Sequence, residues 1–319
     1  MTFAITFPGQ GSQTVGMLAG VLAEHDCVKQ TFAEASDALG YDVAELVLNG
    51  PAEELNKTWR TQPALLTASV ALWRLWREQG GAMPDVMAGH SLGEYSALVC
   101  AEVLSLTDAV KLVELRGQLM QEAVPEGTGA MSAIIGLDND TIIANCALAE
   151  QGEVVSAVNF NSPGQVVIAG NKAAVERANI LMKESGAKRA LPLPVSVPSH
   201  CALMRSAAEN LEQTLADMTF NEPVVPVINN VDVSQESNAA AIKDALVRQL
   251  YSPVRWTETV EVMVVLGVTL ALEMGPGKVL SGLTKRIDKR VEGLAVNDQA
   301  GLEQALAAVA AQSAAAFVV

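Results

Sequence analysis

The chain has 319 residues, half of them hydrophobic, and a formal net charge of −15. This length and hydrophobic content suit one large globular domain, or a large domain with a smaller one. The negative charge argues against nucleic acid and anionic membranes as partners, and an acidic protein partner would need a local basic patch on this chain.

The targeting and redox features predict a cytoplasmic protein. No positively charged start is followed by an apolar run, so no secretory signal is expected. The longest apolar stretch, 262–272, is too short to span a bilayer. The four cysteines lack CxxC spacing, which favours reduced thiols over a disulfide framework or a zinc site. We therefore expect no metal and no membrane partner.

The first predicted strand, 4–7, is followed by a glycine-rich loop, 8–12, and a helix is predicted from about Gln13. The loop lacks the later glycine of a dinucleotide fingerprint and the lysine of a P-loop. It is either a plain strand-to-helix turn or a loop whose backbone N–H groups stabilise an oxyanion. Further helices are predicted at 28–39, 42–50, from Pro51 onward, and 62–79.

A nucleophile elbow is predicted where a buried strand, 86–88, leads into a helix, 94–101. Residues 89–93 read Gly-His-Ser-Leu-Gly, the Gly-x-Ser-x-Gly pattern that holds a serine on a strained strand-to-helix turn. The glycines are needed because backbone approaches backbone there and leaves no space for a Cβ atom. Ser91 would then lie at a helix N-terminus, which favours developing negative charge. The alternative is an ordinary turn serine.

An inward-facing arginine is predicted on the next helix, 107–123. Arg116 lies four residues after Leu112 and four before Met120, so it falls on the apolar face. A buried guanidinium is costly unless an anion or hydrogen-bond acceptors meet it. Arg116 is therefore either a structural arginine, paired with a buried acid or reaching the surface, or a bidentate clamp for a substrate carboxylate.

From Gly129 onward the predicted elements follow the order β-α-β-β-α-β, the ferredoxin-like unit. They are a strand at 130–137, a helix at 138–150, strands at 154–160 and 166–169, a helix at 172–185, and a strand at 189–193. We interpret 128–195 as a small subdomain inserted into a large one formed by 1–127 and 196–311. The last residues, 312–319, are predicted to be a loosely ordered tail.

The base that would activate Ser91 is found by elimination among three histidines. His25 ends an early surface helix. His90 neighbours the serine, and adjacent side chains diverge on a tight turn, so packing or orientation suits it better. His200 follows a proline-rich loop, and its place after the serine matches the order in elbow enzymes. His200 is therefore the favoured base, and His90 is the alternative.

No aspartate or glutamate stands out as the third member of a triad. A helix is predicted over 239–251, and it must end before Pro253. Its last turn leaves unpaired carbonyls near Gln249 and Leu250, and a carbonyl can orient an imidazole by accepting its N–H. A Ser91–His200 dyad is thus predicted. The other elements expected after His200 are a helix to about 218, strands at 224–229 and 269–273, and a helix after 275–278.

Taken together, the motifs resemble those of the malonyl-CoA:acyl-carrier-protein transacylases of bacterial fatty acid synthesis. The matching segments span the chain up to its C-terminal tail. They are Phe7-Pro8-Gly9-Gln10-Gly11-Ser12, Gln62-Pro63-Ala64-Leu65, Gly89-His90-Ser91-Leu92-Gly93-Glu94-Tyr95, Arg116-Gly117, Asn159-Phe160-Asn161-Ser162-Pro163-Gly164, Val197-Pro198-Ser199-His200, Gln249-Leu250-Tyr251 and Gly275-Pro276-Gly277-Lys278. The resemblance implies an α/β fold, an α/β-hydrolase-like core with a parallel sheet and an inserted ferredoxin-like subdomain.

The resemblance also implies a role for each site residue. It implies that Ser91 is the nucleophile, that His200 is the base, and that the Gln249 backbone carbonyl orients His200. It further implies that the backbone N–H groups of Gln10 and Leu92 form the oxyanion hole. Arg116 would bind the malonyl carboxylate. The implied reaction is ping-pong, through a malonyl-serine intermediate. Malonyl-CoA is the substrate, no cofactor is bound, and the acyl carrier protein is the acceptor.

A basic run near the C-terminus could serve an acidic carrier protein. The cationic side chains within 284–290 are Lys285, Arg286, Lys289 and Arg290. They form either a docking patch or a solvated helix face. Two rival functions share the elbow: a serine esterase or thioesterase, which has no need of an inward Arg116, and a non-catalytic protein that kept the fold.

Overall fold

The computed structural model describes residues 2–195 and 197–316. The strands are β1 (Thr2–Phe7), β2 (Val86–Gly89), β3 (Gly129–Ile135), β4 (Val155–Ser162), β5 (Gln165–Asn171), β6 (Arg189–Pro192), β7 (Val227–Ile228), β8 (Val268–Met274) and β9 (Glu292–Val296). The α-helices are α1 (Ala19–Glu24), α2 (Asp26–Leu39), α3 (Val43–Asn49), α4 (Ala52–Leu55), α5 (Thr58–Glu78), α6 (Leu92–Cys100), α7 (Leu106–Ala123), α8 (Asn139–Glu150), α9 (Lys172–Glu184), α10 (Arg205–Asp217), α11 (Ala239–Gln249), α12 (Trp256–Val265), α13 (Val279–Ile287) and α14 (Gln299–Ala316). None of these helices is long and apolar enough to cross a membrane.

A parallel sheet with the strand order β7-β2-β1-β8-β9 forms the centre of the large unit. Successive side chains of a strand point to opposite faces. Accordingly, Phe3, Ile5 and Phe7 of β1 join the core beneath α2, α5 and α7, whereas Ala4 joins the core beneath α12 and α13. Because the strands run in one direction, their carboxyl ends meet at one edge, where α/β folds bind ligands.

The insertion folds as predicted. Its antiparallel sheet has the order β4-β5-β3-β6, and α8 and α9 cover one face over a separate apolar core. The insertion joins the large unit through β4. There the Phe160 N–H donates to the Val254 carbonyl, and the Val254 N–H donates to the Val158 carbonyl. The α/β class with an inserted ferredoxin-like subdomain is therefore confirmed. The limits of the insertion at 128 and 195 stay a prediction.

Proline and positive φ angles explain two differences from the predicted elements. The strand expected over 224–229 is wrong in extent, because only Val227 and Ile228 pair with β2, and Pro226 has no N–H to donate. The helix expected from Gln13 is also wrong in its start. Positive φ angles at Gly16 (87°) and Leu18 (60°) are incompatible with helix, so α1 begins at Ala19.

The C-terminal region contains elements that the sequence did not reveal. Strand β9 lies at the edge of the central sheet and buries only its last side chain fully, so its hydrophobic pattern is weak. Helix α14 reaches Ala316 and thus includes the first part of the predicted tail, 312–319. Residues 317–319 of that tail lie outside the described residues.

Candidate active site

The predicted elbow is present between β2 and α6. Ser91 has φ 53° and ψ −109°, a backbone conformation that is unfavourable for a residue with a side chain. A Cβ atom on Gly89 would lie 1.8 Å from the carbonyl carbon of Gly93, and one on Gly93 would lie 2.1 Å from the Phe7 carbonyl oxygen. Only glycine fits at either position, so the two glycines hold Ser91 at the carboxyl edge of the sheet.

Ser91 and His200 lie within hydrogen-bond distance, with 2.8 Å between Oγ and Nε2. On the far side of the ring, Nδ1 lies 2.7 Å from the Gln249 carbonyl oxygen. A carbonyl can only accept, so Nδ1 carries the proton, and Nε2 is left to accept from the serine hydroxyl. Burial, followed by the positive charge of Arg116, lowers the pKa of His200 to about 3. The imidazole is therefore neutral at neutral pH, the form a general base requires.

The other two histidines do not contact the Ser91 hydroxyl. His90 donates from Nε2 to Asn161 Oδ1 at 2.8 Å, and its ring lies against Trp256. Burial lowers the pKa of His90. His25 bonds to Gln299 at the surface. The structure therefore places His200, and not the alternative His90, beside the serine.

Arg116 is fully buried, with 0% of its surface exposed. Nη1 donates to Gln62 Oε1 at 2.7 Å, and Nη2 donates to Gln249 Oε1 at 3.0 Å and to Ser91 Oγ at 3.3 Å. Nε has no partner. Because a guanidinium has five N–H donors, two remain unused. Burial lowers the pKa of Arg116.

The two arrangements expected of a structural arginine, exposure at the surface and a direct pair with a buried acid, are not seen for Arg116 among the described residues. Its side chain does not reach the surface, and within the described residues no carboxylate forms a direct ion pair with it. Neutral amides hold the guanidinium, and its ring-face contact is Tyr95, 5.3 Å away. The buried positive charge of Arg116 therefore lies beside the serine hydroxyl and has N–H donors that are not used within the described residues. Such an arrangement is a suitable site for an anionic group.

Two backbone N–H groups, one in the elbow and one in the loop after β1, form no hydrogen bond in the part of the chain that the structure describes. They belong to Leu92, the first residue of α6, and to Gln10, in the loop after β1. The loop approaches the elbow closely, since a Cβ atom on Gly9 would lie 2.6 Å from the His90 carbonyl oxygen.

The Gln10 side chain is anchored by the Thr58 hydroxyl at 2.9 Å. The N–H of Ser91 itself is occupied, since it donates to Asn230 Oδ1 at 2.7 Å. Leu92 and Gln10 therefore remain the candidate oxyanion donors. Among the described residues, no group of three or more histidine, cysteine or acidic side chains could hold a metal ion.

The sequence of residues 5–301 matches the family model described as the acyl transferase domain. The chain is also 66% identical over 304 residues to the malonyl CoA-acyl carrier protein transacylase of Escherichia coli (strain K12), covering 95% of this chain and 98% of that protein. The chain belongs to the malonyl CoA-acyl carrier protein transacylase family. A member from Bacillus subtilis is 46% identical over 95% of this chain and 96% of its own length.

Solved structures of this family share the fold. An acyl carrier protein S-malonyltransferase from Vibrio cholerae is 68% identical, with a TM-score of 0.94 over 95% of this chain and 99% of that one. A malonyl-transacylase in complex with a holo type II PKS acyl-carrier protein is 64% identical, with a TM-score of 0.95 over 96% of this chain and 99% of that one. The family recognised from the sequence motifs is therefore confirmed.

In this member of the family, the structure adds three polar residues to which the sequence analysis gave no role. Gln62 holds the Arg116 guanidinium, and Asn230 and Glu94 lie behind the elbow. Gln62 and Glu94 stand inside recognised motifs, but their types alone suggest no task. Asn230 directly follows β7 at the carboxyl edge of a parallel sheet, a position where polar residues deserve consideration as site residues.

Proposed function

We propose that this chain transfers a malonyl group from malonyl-CoA to the phosphopantetheine thiol of an acyl carrier protein. The family supports the reaction, and the fold and the site geometry are compatible with it. The carrying observation is that Arg116 is buried with its Nη2 3.3 Å from the Ser91 hydroxyl, while Nε and one N–H of Nη1 form no hydrogen bond with the described residues. An acyl group that ends in a carboxylate would accept hydrogen bonds from the unused donors of Arg116, whereas an esterase has no need of such a buried arginine.

In the proposed first half-reaction, His200 takes the Ser91 proton at Nε2, and Oγ attacks the thioester carbonyl of malonyl-CoA. The Nδ1–H bond to the Gln249 carbonyl keeps the ring oriented and stabilises the imidazolium. The N–H groups of Gln10 and Leu92 accommodate the oxyanion, a kind of interaction whose loss raises a barrier by about 3 kcal/mol. The C–S bond breaks, coenzyme A leaves as the thiol with the proton from His200, and malonyl-Ser91 remains.

In the second half-reaction the carrier thiol occupies the position that coenzyme A vacated. His200 takes the thiol proton, the sulfur attacks the malonyl-serine ester, and the proton passes to the departing Ser91 Oγ. Arg116 keeps the malonyl carboxylate in place through both steps. Because the group moves between two thiols of the same chemistry, the reaction needs no cofactor besides its two substrates.

Acyl transfer and hydrolysis are separated by following the malonyl group. We expect the enzyme with malonyl-CoA and holo carrier protein to yield malonyl carrier protein and free coenzyme A in equal amounts, measured by intact mass and by chromatography of coenzyme A. The total free thiol should stay constant, because one carrier thiol is consumed for each coenzyme A thiol released. Apo carrier protein, which lacks the phosphopantetheine thiol, is the control and should remain unmodified. Release of free malonate at the rate of coenzyme A release would support the esterase alternative instead.

The proposed carrier-docking surface is the basic run on and after α13. Lys285, Arg286, Lys289 and Arg290 are all exposed. Arg290 is paired with Asp288, and Arg286 donates to Gln165 of the insertion at 2.7 Å. The patch therefore lies beside the junction of the two units, and it would provide the local positive charge that a chain of net charge −15 needs to meet an acidic carrier.

Charge reversal tests this surface. We expect Lys285→Glu with Arg286→Glu to raise the carrier-protein KM by about tenfold, and more at low salt, because complementary charge steers encounter. The KM for malonyl-CoA should stay unchanged. Lys29→Glu with Lys111→Glu, at exposed positions of α2 and α7, is the control that adds the same negative charge elsewhere. Equal effects of the two variants on the carrier KM would refute the patch.

A cytoplasmic location completes the proposal. All four cysteines are free thiols, as expected in a reducing compartment. Three of them are buried, and burial raises the pKa of Cys100, Cys146 and Cys201. These thiols are therefore uncharged and unreactive at neutral pH, which leaves Ser91 as the nucleophile of the site.

A further inference from the structure

A buried carboxyl group lies directly behind the proposed catalytic residues. Glu94, in the first turn of α6, is 2% exposed. One of its oxygens, Oε2, accepts two hydrogen bonds, from the Asn230 backbone N–H at 2.9 Å and from Gln249 Nε2 at 2.8 Å. The mechanism above gives Glu94 no task, yet an ionisable group is rarely buried this deeply without a specific set of partners.

The first partner, Asn230, clamps the backbone of the elbow. Its Oδ1 accepts the Ser91 N–H, and its Nδ2 donates to the Gly89 carbonyl, both at 2.7 Å. These two bonds bridge the turn on which Ser91 has its unfavourable φ. By fixing the Asn230 backbone, Glu94 thus supports the conformation that presents the serine hydroxyl.

The second partner, Gln249, connects the remaining groups of the site. Its carbonyl oxygen receives the His200 N–H, its Oε1 accepts from Arg116 Nη2, and its Nε2 donates to the Ser91 carbonyl at 3.1 Å as well as to Glu94. Only one orientation of the amide is compatible with these neighbours, since a guanidinium has donors alone and a carboxylate acceptors alone. A positive and a negative charge are therefore linked through one amide rather than by direct contact.

We propose that Glu94 is a positioning residue that aligns Asn230 and Gln249 and supplies a remote counter-charge to Arg116. The inference rests on the proposed function, because it takes Arg116 as the site of the malonyl carboxylate. A carboxylate in direct contact with the guanidinium would occupy the donors that the substrate needs. Placed one amide away, Glu94 offsets the buried positive charge and leaves those donors free.

The negative charge of Glu94 depends on pH, so its effect on substrate binding can be measured by varying the pH. Burial raises the pKa of Glu94 to about 7, against the opposing effects of its hydrogen bonds and of Arg116. The charged groups that face Glu94 are Arg116 on α7, Asp232 after β7, and Glu236, which borders the same small cavity. Above pH 7 the ionised carboxylate offsets Arg116. Below pH 7 protonation removes the offset, so the guanidinium attracts the malonyl carboxylate more strongly.

Glu94→Gln separates charge from alignment, because its amide oxygen can still accept both hydrogen bonds. We would measure single-turnover acylation of Ser91 by rapid quench and intact mass, with malonyl-CoA and with acetyl-CoA. In the wild type, half-saturation by malonyl-CoA should need about fivefold less substrate at about pH 6 than at about pH 8. In Glu94→Gln, the malonyl-CoA concentration needed for half-saturation should be low at both pH values. Acetyl-CoA, with the same coenzyme phosphates and no carboxylate, should show neither effect.

Two further variants complete the test. Glu94→Leu also removes the acceptor, and we expect it to slow acylation by both thioesters about 100-fold through misalignment. Glu273→Gln is the matched control, since Glu273 is equally buried and accepts the N–H groups of Leu280 and Ser281 without contacting the site residues. It should keep the wild-type pH dependence.

The inference is overturned if Glu94→Gln retains the wild-type pH dependence of malonyl-CoA half-saturation. It is equally overturned if this variant slows both thioesters alike with no change in half-saturation, the behaviour of a merely structural residue. A wild-type enzyme that forms no malonyl adduct would refute the proposed function itself, and the inference with it.

Discussion

Ser91→Ala is expected to abolish the malonyl adduct and to lower malonyl transfer by roughly 10⁶-fold, the order found when a nucleophile acting with its base is removed. The reason is that Ser91 Oγ lies 2.8 Å from His200 Nε2, and among the described residues no other nucleophilic side chain is hydrogen-bonded to that nitrogen. Intact mass after mixing with malonyl-CoA, followed by an assay of malonyl carrier protein, measures both effects. The wild-type adduct should disappear when holo carrier protein is added.

A second serine on the same helix provides the control for this prediction. Ser96 is also buried in α6, and its hydroxyl forms no hydrogen bond within residues 2–195 and 197–316. Ser96→Ala should form the adduct and transfer it as the wild type does. A malonyl adduct on Ser91→Ala, or full transfer by that variant, would assign the chemistry to another group and refute the serine mechanism.

The elbow could be predicted from the sequence because its requirements are local. Three fixed residues within five positions, between a strand and a helix, specify a turn in which Gly89 and Gly93 touch other backbone atoms. The position of His200 beside Ser91 could be predicted because the chain offers only three histidines. Periodicity placed Arg116 on the buried face of α7, and the structure places it there.

The polar network behind the elbow could not be predicted, because its bonds join distant parts of the chain. Glu94 meets Asn230 across 136 positions and Gln249 across 155. From the sequence alone, Glu94 is an ordinary acidic residue in the first turn of a helix, where a negative charge commonly stabilises the helix through its dipole. Only the parallel order of β7, β2 and β1 brings these segments to one edge.

The same physics accounts for the misplaced elements. A strand is recognised by its apolar side chains, whereas pairing depends on backbone N–H groups, so Pro226 shortens β7 without changing its hydrophobic pattern. Strand β9 shows the opposite case. Its backbone pairs with β8 over five positions from Glu292 to Val296, although its half-exposed side chains give little signal.

Arg116→Ala is expected to change the choice of acyl group. If Arg116 binds the malonyl carboxylate, as proposed above, acetyl-CoA leaves the buried guanidinium of the wild type without an anion, whereas malonyl-CoA supplies one. Sites built around such a polar contact discriminate strongly against substrates that lack it, so we expect the acetyl-to-malonyl ratio of kcat/KM to rise by about 1,000-fold in the variant. The measurement is the acylation of Ser91 by each thioester, compared within one enzyme.

The ratio is the informative quantity because the variant will also slow acylation in general. Removing the guanidinium leaves the Gln62 and Gln249 amide oxygens without their donor. The backbone carbonyl of Gln249 also accepts the His200 N–H. Such a loss of alignment affects both thioesters, whereas loss of the carboxylate grip affects malonyl-CoA alone. Arg116→Lys keeps a positive charge but not the paired donors, so its ratio should lie between those of the wild type and Arg116→Ala. If both variants lost activity with an unchanged ratio, Arg116 would be an alignment residue, and malonyl selection would have to come from another part of the site.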